Sequence, residues 1–263
     1  MRKNQATALP FDVRLMNITA TVLFATCGAV LLAALAWWAV RHPVFAIRAI
    51  VVQGQVTHNS AATLRANVAP RLAGNFFTLD LQQAREAFER VPWVRKAVVK
   101  REFPNRLRVQ IEEHQPEALW GIDSESRLVN TYGEVFEANA GDAEQEDMPR
   151  LAGPEGSSAQ VLAMYRALHP LLQPLELSVE QVVLTGRGGW TAQLDTGAIV
   201  ELGRGTAQEV LARGERFAHT LTQVTSKYGR RPEALVTADL RHVNGYAIRL
   251  RGVATTEPAT KRN

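Results

Sequence analysis

Six histidines, His42, His58, His114, His169, His219 and His242, are the first candidates for chemistry in this chain. They lie far apart and form no HExxH or other metal-binding spacing. The single cysteine, Cys27, sits in an apolar run and supplies neither a disulfide nor a thiolate ligand set. No G-x-S-x-G elbow and no S-x-x-K motif is present, so nucleophilic hydrolysis has no support. Glu112-Glu113 and Asp123 with Glu125 would be the carboxylates for glycoside cleavage. Adjacent residues on a strand point to opposite faces, so a solvated surface explains Glu112 and Glu113 better. Gly203-Arg204-Gly205-Thr206 opens a helix as phosphate loops do, but it lacks the Walker lysine and the dinucleotide spacing. A turn with a threonine cap accounts for it. The expectation is a protein without catalytic, cofactor or metal residues.

The element that positions everything else is the stretch 15–40, which carries no charged side chain. As a helix it would measure about 39 Å, more than the ~30 Å of a bilayer's hydrocarbon core. Trp37 and Trp38 close it as interfacial indoles. Arg2, Lys3 and Arg14 precede it and favour a cytoplasmic N-terminus, with residues 1–14 as a tail and the bulk of the chain translocated. Ala34-Leu35-Ala36 has the form of a signal-peptidase site. The apolar run is too long for a signal peptide and is followed by two bulky indoles, so an uncleaved anchor is the reading. The net charge of +4 fits an acidic partner or an anionic membrane surface as well as it fits nucleic acid.

Beyond the anchor, 45–53 reads as a strand ending at Gly54. Ser60 caps a helix with Ala61, Leu64, Val68 and Leu72 on one face. Asp80 caps a second helix with Leu81, Ala84, Phe88 and Val91, and Pro92 marks its end. Strands follow at 94–101 and 106–112 around a Phe103-Pro104-Asn105 turn. The order is strand, helix, helix, strand, strand. Arg95, Lys96, Lys100, Arg101, Arg106 and Arg108 form a basic run there, read as the wet face of a small sheet, with lipid headgroups as the rival partner.

Particular residues here carry a resemblance. They are Phe45 with Ile50-Val51-Val52-Gln53-Gly54, then Asn75-Phe76-Phe77 with Leu79-Asp80, then Pro92-Trp93-Val94. Further on stand Glu113 with Pro116, Ala118 and Trp120, then Gly133-Glu134-Val135-Phe136, Gly153-Pro154-Glu155-Gly156, Leu202-Gly203, and Asp239-Leu240-Arg241 with Asn244-Gly245. In order and spacing, over about residues 11–251, the chain resembles the FtsQ/DivIB family of bacterial cell-division proteins. The resemblance implies an α+β fold: a transmembrane helix, a polypeptide-transport-associated (POTRA) domain at 45–113, and a mainly antiparallel β domain with helices at 114–251. Val52, Gly54, Trp93 and Val94 read as structural residues of the POTRA domain.

The second domain reads independently as a hairpin at 128–136 and an acidic loop at 141–147. A helix opens at Ser157 or Ser158, with Val161, Tyr165, Leu168 and Leu172 on one face, and Pro170 is expected to disturb it. Strands are expected at 179–184, 190–194 and 199–202. A helix at 206–228 follows, in which Val210, Gly214, Phe217, Leu221, Val224 and Tyr228 form a core face rather than a coiled-coil seam. Strands at 234–240 and 246–251 flank Asn244-Gly245, a strong hairpin signal, and 252–263 is expected to be a disordered tail.

That last strand offers an edge able to accept another strand by main-chain hydrogen bonds. The resemblance implies this use: the edge receives a segment of FtsB, which travels with FtsL, alongside other divisome proteins. The partner-binding candidates carried over are Arg241, His242, Asn244, Gly245, Tyr246 and Ile248. His242 stands where the family commonly has tyrosine, and Arg241 has Asp239 as an alternative, intramolecular partner. The function implied is a non-enzymatic divisome scaffold in the inner membrane at the septum, without cofactor, nucleic acid or small-molecule substrate. The rivals are a POTRA protein of polypeptide transport and a cell-wall hydrolase.

Overall fold

The computed structural model describes residues 11–54, 57–72, 74–122, 127–138, 148–242 and 245–253. The N-terminal helix α1 spans Phe11–Val40, starting before the uncharged stretch, so Asp12 lies in its first turn. Its side chains are mostly exposed, and it is the one helix among the described residues long and apolar enough to cross a membrane.

The chain divides into two compact units, Met1–Val91 with Lys96–Glu112, and Pro92–Arg95 with Glu113–Asn263. In the first unit, Pro43–Phe45 forms a short 3-10 turn instead of the expected strand start, and β1 covers Ala49–Gly54 only. Pro43 fixes the backbone for that turn, and His42 accepts the Val44 N–H. Helix α2, Ala61–Val68, is capped by Ser60, whose hydroxyl accepts the Thr63 N–H at 3.0 Å. Leu72 lies beyond a 3-10 turn at Ala69–Arg71 and outside the helix that was expected to include it. Helix α3, Leu81–Glu89, is capped by the Asp80 carboxylate, which accepts from Gln82 and Gln83.

Strands β2, Val94–Glu102, and β3, Arg106–Glu113, complete a three-stranded sheet in the order β1-β3-β2, with β1 parallel to β3. Leu107, Val109 and Ile111 are buried while Arg106, Arg108 and Gln110 face out, the alternation expected of a half-buried strand. Gly54 has φ +126°, and a Cβ there would lie 2.1 Å from the Ile111 carbonyl oxygen, so only glycine fits.

Among the described residues, the strands of the second unit form one nine-stranded sheet in the order β12-β11-β10-β9-β8-β7-β4-β5-β6. Its strands are β4 Pro116–Trp120, β5 Arg127–Asn130, β6 Val135–Glu137, β7 Arg150–Ala152, β8 Val179–Leu184, β9 Gly189–Leu194, β10 Ile199–Arg204, β11 Leu235–Asp239 and β12 Ala247–Leu250. Antiparallel pairs dominate, and parallel pairs occur at β4 with β7, β7 with β8 and β10 with β11. The short strands β4 and β7 were not legible in the sequence. The expected acidic loop falls at 141–147 and the tail mostly at 254–263, both outside the described residues.

Helices α4, Ser158–Leu172, and α5, Ala207–Ser226, pack on each other and on the sheet around Trp190, Phe217, Leu221 and Leu168. Burying a side chain such as Phe217, 1% exposed, contributes about 1.5–3 kcal/mol. Pro170 does not disturb α4, because it stands in the last turn, where few hydrogen bonds remain to break. On α5 the buried positions are Val210, Gly214, Phe217, Leu221 and Thr225, and Tyr228 lies exposed beyond the helix end. The face therefore follows the ordinary helical period rather than a heptad. A Cβ on Gly214 would sit 3.2 Å from a Leu168 methyl, so glycine sets how closely α4 and α5 approach.

Candidate functional site

Strand β12 is the last in the sheet order. It pairs antiparallel with β11, Ala238 opposite Ile248 and Asp239 opposite Ala247, and among the described residues no strand lies on its other side. That free side is a row of backbone donors and acceptors, the chemical basis of strand addition.

The candidate residues divide into two groups. Tyr246 and Ile248 face the core, as does their neighbour Leu250: the Tyr246 ring meets Phe217 edge to face at 5.2 Å, and its hydroxyl lies 2.8 Å from Thr220 Oγ1. Tyr246 therefore anchors β12 and is half-buried in doing so. Arg241 and His242 are exposed just past β11, Gly245 is half-buried before β12, and Asn244 lies outside the described residues.

Arg241 forks onto Asp239, Nε to Oδ1 at 2.8 Å and Nη2 to Oδ2 at 2.6 Å, and its backbone N–H donates to Oδ1 at 3.0 Å. These hydrogen bonds hold the Asp239 carboxyl far below the usual carboxylate range and raise the Arg241 guanidinium. The intramolecular pair anticipated as an alternative is thus formed. A guanidinium has five N–H donors, and this fork leaves donors on Arg241 turned to solvent.

Beneath Arg241 lies Gly203, with φ +82°, at a bulge where β10 pairs with β9. A Cβ there would stand 2.9 Å from Arg241 Cγ, so the glycine makes room for the arginine's stem. Arg187, Arg204 and Arg213 line the same hollow as Arg241, with Glu201 as the carboxylate in its wall. Arg213 is held by the Leu202 and Arg204 carbonyls at 2.9 and 2.6 Å. Glu201 accepts from the Thr191 hydroxyl at 3.2 Å. The hollow is suited to a carboxylate. Sequence reasoning missed this convergence, since the arginines come from a turn, a strand end and a helix, and nothing in their spacing joins them.

The other sequence candidates are dispersed. Arg95 pairs with Glu134, Arg101 donates to the Leu79 carbonyl at 2.6 Å, and Arg108 pairs with Glu102 at 2.7 Å, so the basic run does not make one stripe. Glu112 is exposed and Glu113 half-buried, on opposite faces of β3, while Asp123 and Glu125 lie outside the described residues. Trp93, 3% exposed at φ +72°, packs on Phe136 with ring centroids 5.4 Å apart. Among the described residues no three of His, Cys, Asp or Glu gather as a metal site.

The model of the FtsQ-type POTRA domain matches residues 45–114, and that of the C-terminal part of cell division protein FtsQ/DivIB matches 118–241. The chain belongs to the FtsQ/DivIB family. A cell division protein FtsQ from Burkholderia pseudomallei is 43% identical over 92% of this chain and 94% of its own length. Another from Bordetella pertussis is 36% identical over 95% and 99%, and one from Thiomonas arsenitoxydans is 37% identical over 93% and 90%. The α+β fold with a POTRA domain and the role in cell division stand on these matches together with the architecture. The C-terminal family match ends at Arg241, at the threshold of β12.

Proposed function

We propose that this protein is a non-enzymatic scaffold of the division machinery, fixed in the inner membrane by α1 with its N-terminus in the cytoplasm and its bulk in the periplasm at the septum. The layout is a cytoplasmic tail at 1–14, the anchor at 15–40, the POTRA domain at 45–113, the β domain at 114–251 and a tail beyond. Its mechanism is capture: the open edge of β12 receives an extended segment of FtsB, accompanied by FtsL. Arg241, His242, Asn244, Gly245, Tyr246 and Ile248 form the receiving region.

The observation that carries this reading is the place of β12 at the end of the sheet, with one side of its backbone unpaired among the described residues. Main-chain bonds to that side give affinity, and Arg241, exposed just past the end of β11 that pairs with the start of β12, offers its remaining donors to an acidic side chain on the incoming strand. Tyr246 keeps β12 from fraying while its edge waits for a partner.

Binding of the detergent-solubilised full chain to the soluble part of FtsB tests the proposal. Arg241→Glu places a carboxylate where an acidic side chain would bind and is expected to weaken binding by about tenfold or more. Ile248→Glu removes an inward apolar contact of β12 and is expected to do the same by loosening the edge. Native circular dichroism with unchanged affinity in both variants would place the partner elsewhere. Absence of binding by the native chain would overturn the receptor role.

A further inference from the structure

Phe45, Phe76, Phe77 and Phe103 gather at one end of the first unit without joining its core of Leu79, Ala84 and Leu107. Phe45 meets Phe77 edge to face at 4.8 Å, Phe77 meets Phe76 at 5.2 Å, and Phe76 meets Phe103 at 5.9 Å. Phe103 keeps 72% of its surface exposed and Phe77 48%. Exposed rings massed in this way mark a surface that something apolar covers.

Hydrogen bonds tie the cluster to the end of α1. Asn75 Nδ2 donates to the Val40 carbonyl at 2.5 Å, and the Phe76 N–H donates to the Phe45 carbonyl at 2.8 Å. The turn after Phe103 is joined to the same exit segment, since the Arg48 N–H donates to the Asn105 carbonyl at 2.9 Å. Val40 lies about 3 Å along the helix axis beyond Trp38. The polar layer on each side of a bilayer's hydrocarbon is roughly 6 Å thick. With Trp37 and Trp38 at the inner boundary of that layer, the Asn75 contact falls within it. Charge agrees with the position. Arg41, Arg48 and Arg106 are exposed on residues adjoining the cluster, Arg41 stacks over Trp37 at 4.0 Å, and neither Arg48 nor Arg106 has an ion-pair partner among the described residues.

We infer that this aromatic tip docks into the headgroup layer of the membrane that α1 crosses, its rings at the level of the acyl boundary and its arginines on lipid phosphates. The inference rests on the anchor reading. A docked tip holds the POTRA unit against the bilayer surface instead of leaving it to swing on the exit segment.

Nitroxide depth measurements on the full chain in phosphatidylethanolamine–phosphatidylglycerol vesicles test it. Reporters replace Phe77 or Phe103 in Cys27→Ala protein, as Phe77→Cys or Phe103→Cys, each leaving the other rings in place. Gln223→Cys in the same background, exposed on α5, gives the aqueous value, and the native chain labelled at Cys27 reports on the middle of α1. The expected result is an oxygen-to-nickel accessibility ratio at both tip reporters severalfold above that at residue 223 and below that at Cys27. Tip reporters equal to residue 223, with Cys27 in hydrocarbon, would overturn the docking, leave the anchor standing and assign the tip to a protein partner. A Cys27 reporter as wet as residue 223 would overturn the anchor itself.

Discussion

Arg95 and Arg241 each grip a carboxylate with two nitrogens, and they do so in opposite settings. Arg95 reaches Glu134 with Nε at 2.7 Å and Nη2 at 3.3 Å, while its guanidinium lies 3.7 Å from the Tyr132 ring centroid. Glu134 also accepts from Asn130 Nδ2 at 2.6 Å, and Asn130, fully buried, orders the turn by accepting the Tyr132 and Glu134 N–H groups. That fork joins residues distant in sequence, and Arg95 keeps 21% of its side-chain surface. The Arg241 fork joins residues two apart, and Arg241 keeps 63%. The first geometry locks a turn into the fold. The second aims a cation at solvent and contributes little to stability, because exposed pairs are screened.

The comparison is broken most severely at Gly203. Gly203→Ala forces a Cβ against Arg241 Cγ and places alanine at φ +82°, a strain of about 1–3 kcal/mol. Chemical denaturation is expected to register that loss, and partner affinity to fall with it, because Arg241 must move. Retained affinity would mean that the position of Arg241 does not matter.

Glu134→Gln is smaller and sharper. It removes the charge that Arg95 faces, and with Glu134 partly exposed the expected loss is about 1 kcal/mol. Partner affinity is expected to stay at the native value, so a loss of binding would join the two forks into one site.

The smallest effect is in acid. Hydrogen bonds from Arg95 lower the Glu134 carboxyl, and those from Arg241 lower Asp239 further. Both groups bind protons more weakly folded than unfolded, so their contribution is complete above the ordinary carboxylate range near ~4 and is lost as pH falls below it. Denaturation midpoints between about pH 5 and pH 2 are expected to fall less steeply for Asp239→Asn with Glu134→Gln than for the native chain. Parallel curves would show that neither fork is linked to acid stability.

Much of this molecule was legible before folding because its signals are local. The long apolar helix is a composition, the Asp80 and Thr206 caps are single residues acting on the next turn, and Leu107, Val109 and Ile111 alternate within one strand. Local signals misled at element ends, as at Leu72 and Tyr228, and where a proline intervened. Pro43 turned the start of an apolar run into a 3-10 turn, and Pro170 proved harmless at a helix end.

The site was legible only in part. That Arg241 and Ile248 border the final hairpin follows from their numbers, but which of them faces the core depends on the register with β11. Strands as short as β4 and β7 carry too few residues to show a period, so the joining of every strand of the second unit in one sheet, with β12 at its end, could not be read. The meeting of Arg187, Arg204 and Arg213 with Arg241 over Gly203, and of Phe103 with Phe76 beside the exit of α1, were equally hidden. The sequence by itself determined the long apolar helix, the domain order and the existence of a terminal strand, because each is written in residues contiguous in the chain. Tertiary structure decided which strand ends the sheet, which cations converge on Gly203 and which rings gather at the exit of α1, because those depend on contacts between residues far apart in the chain.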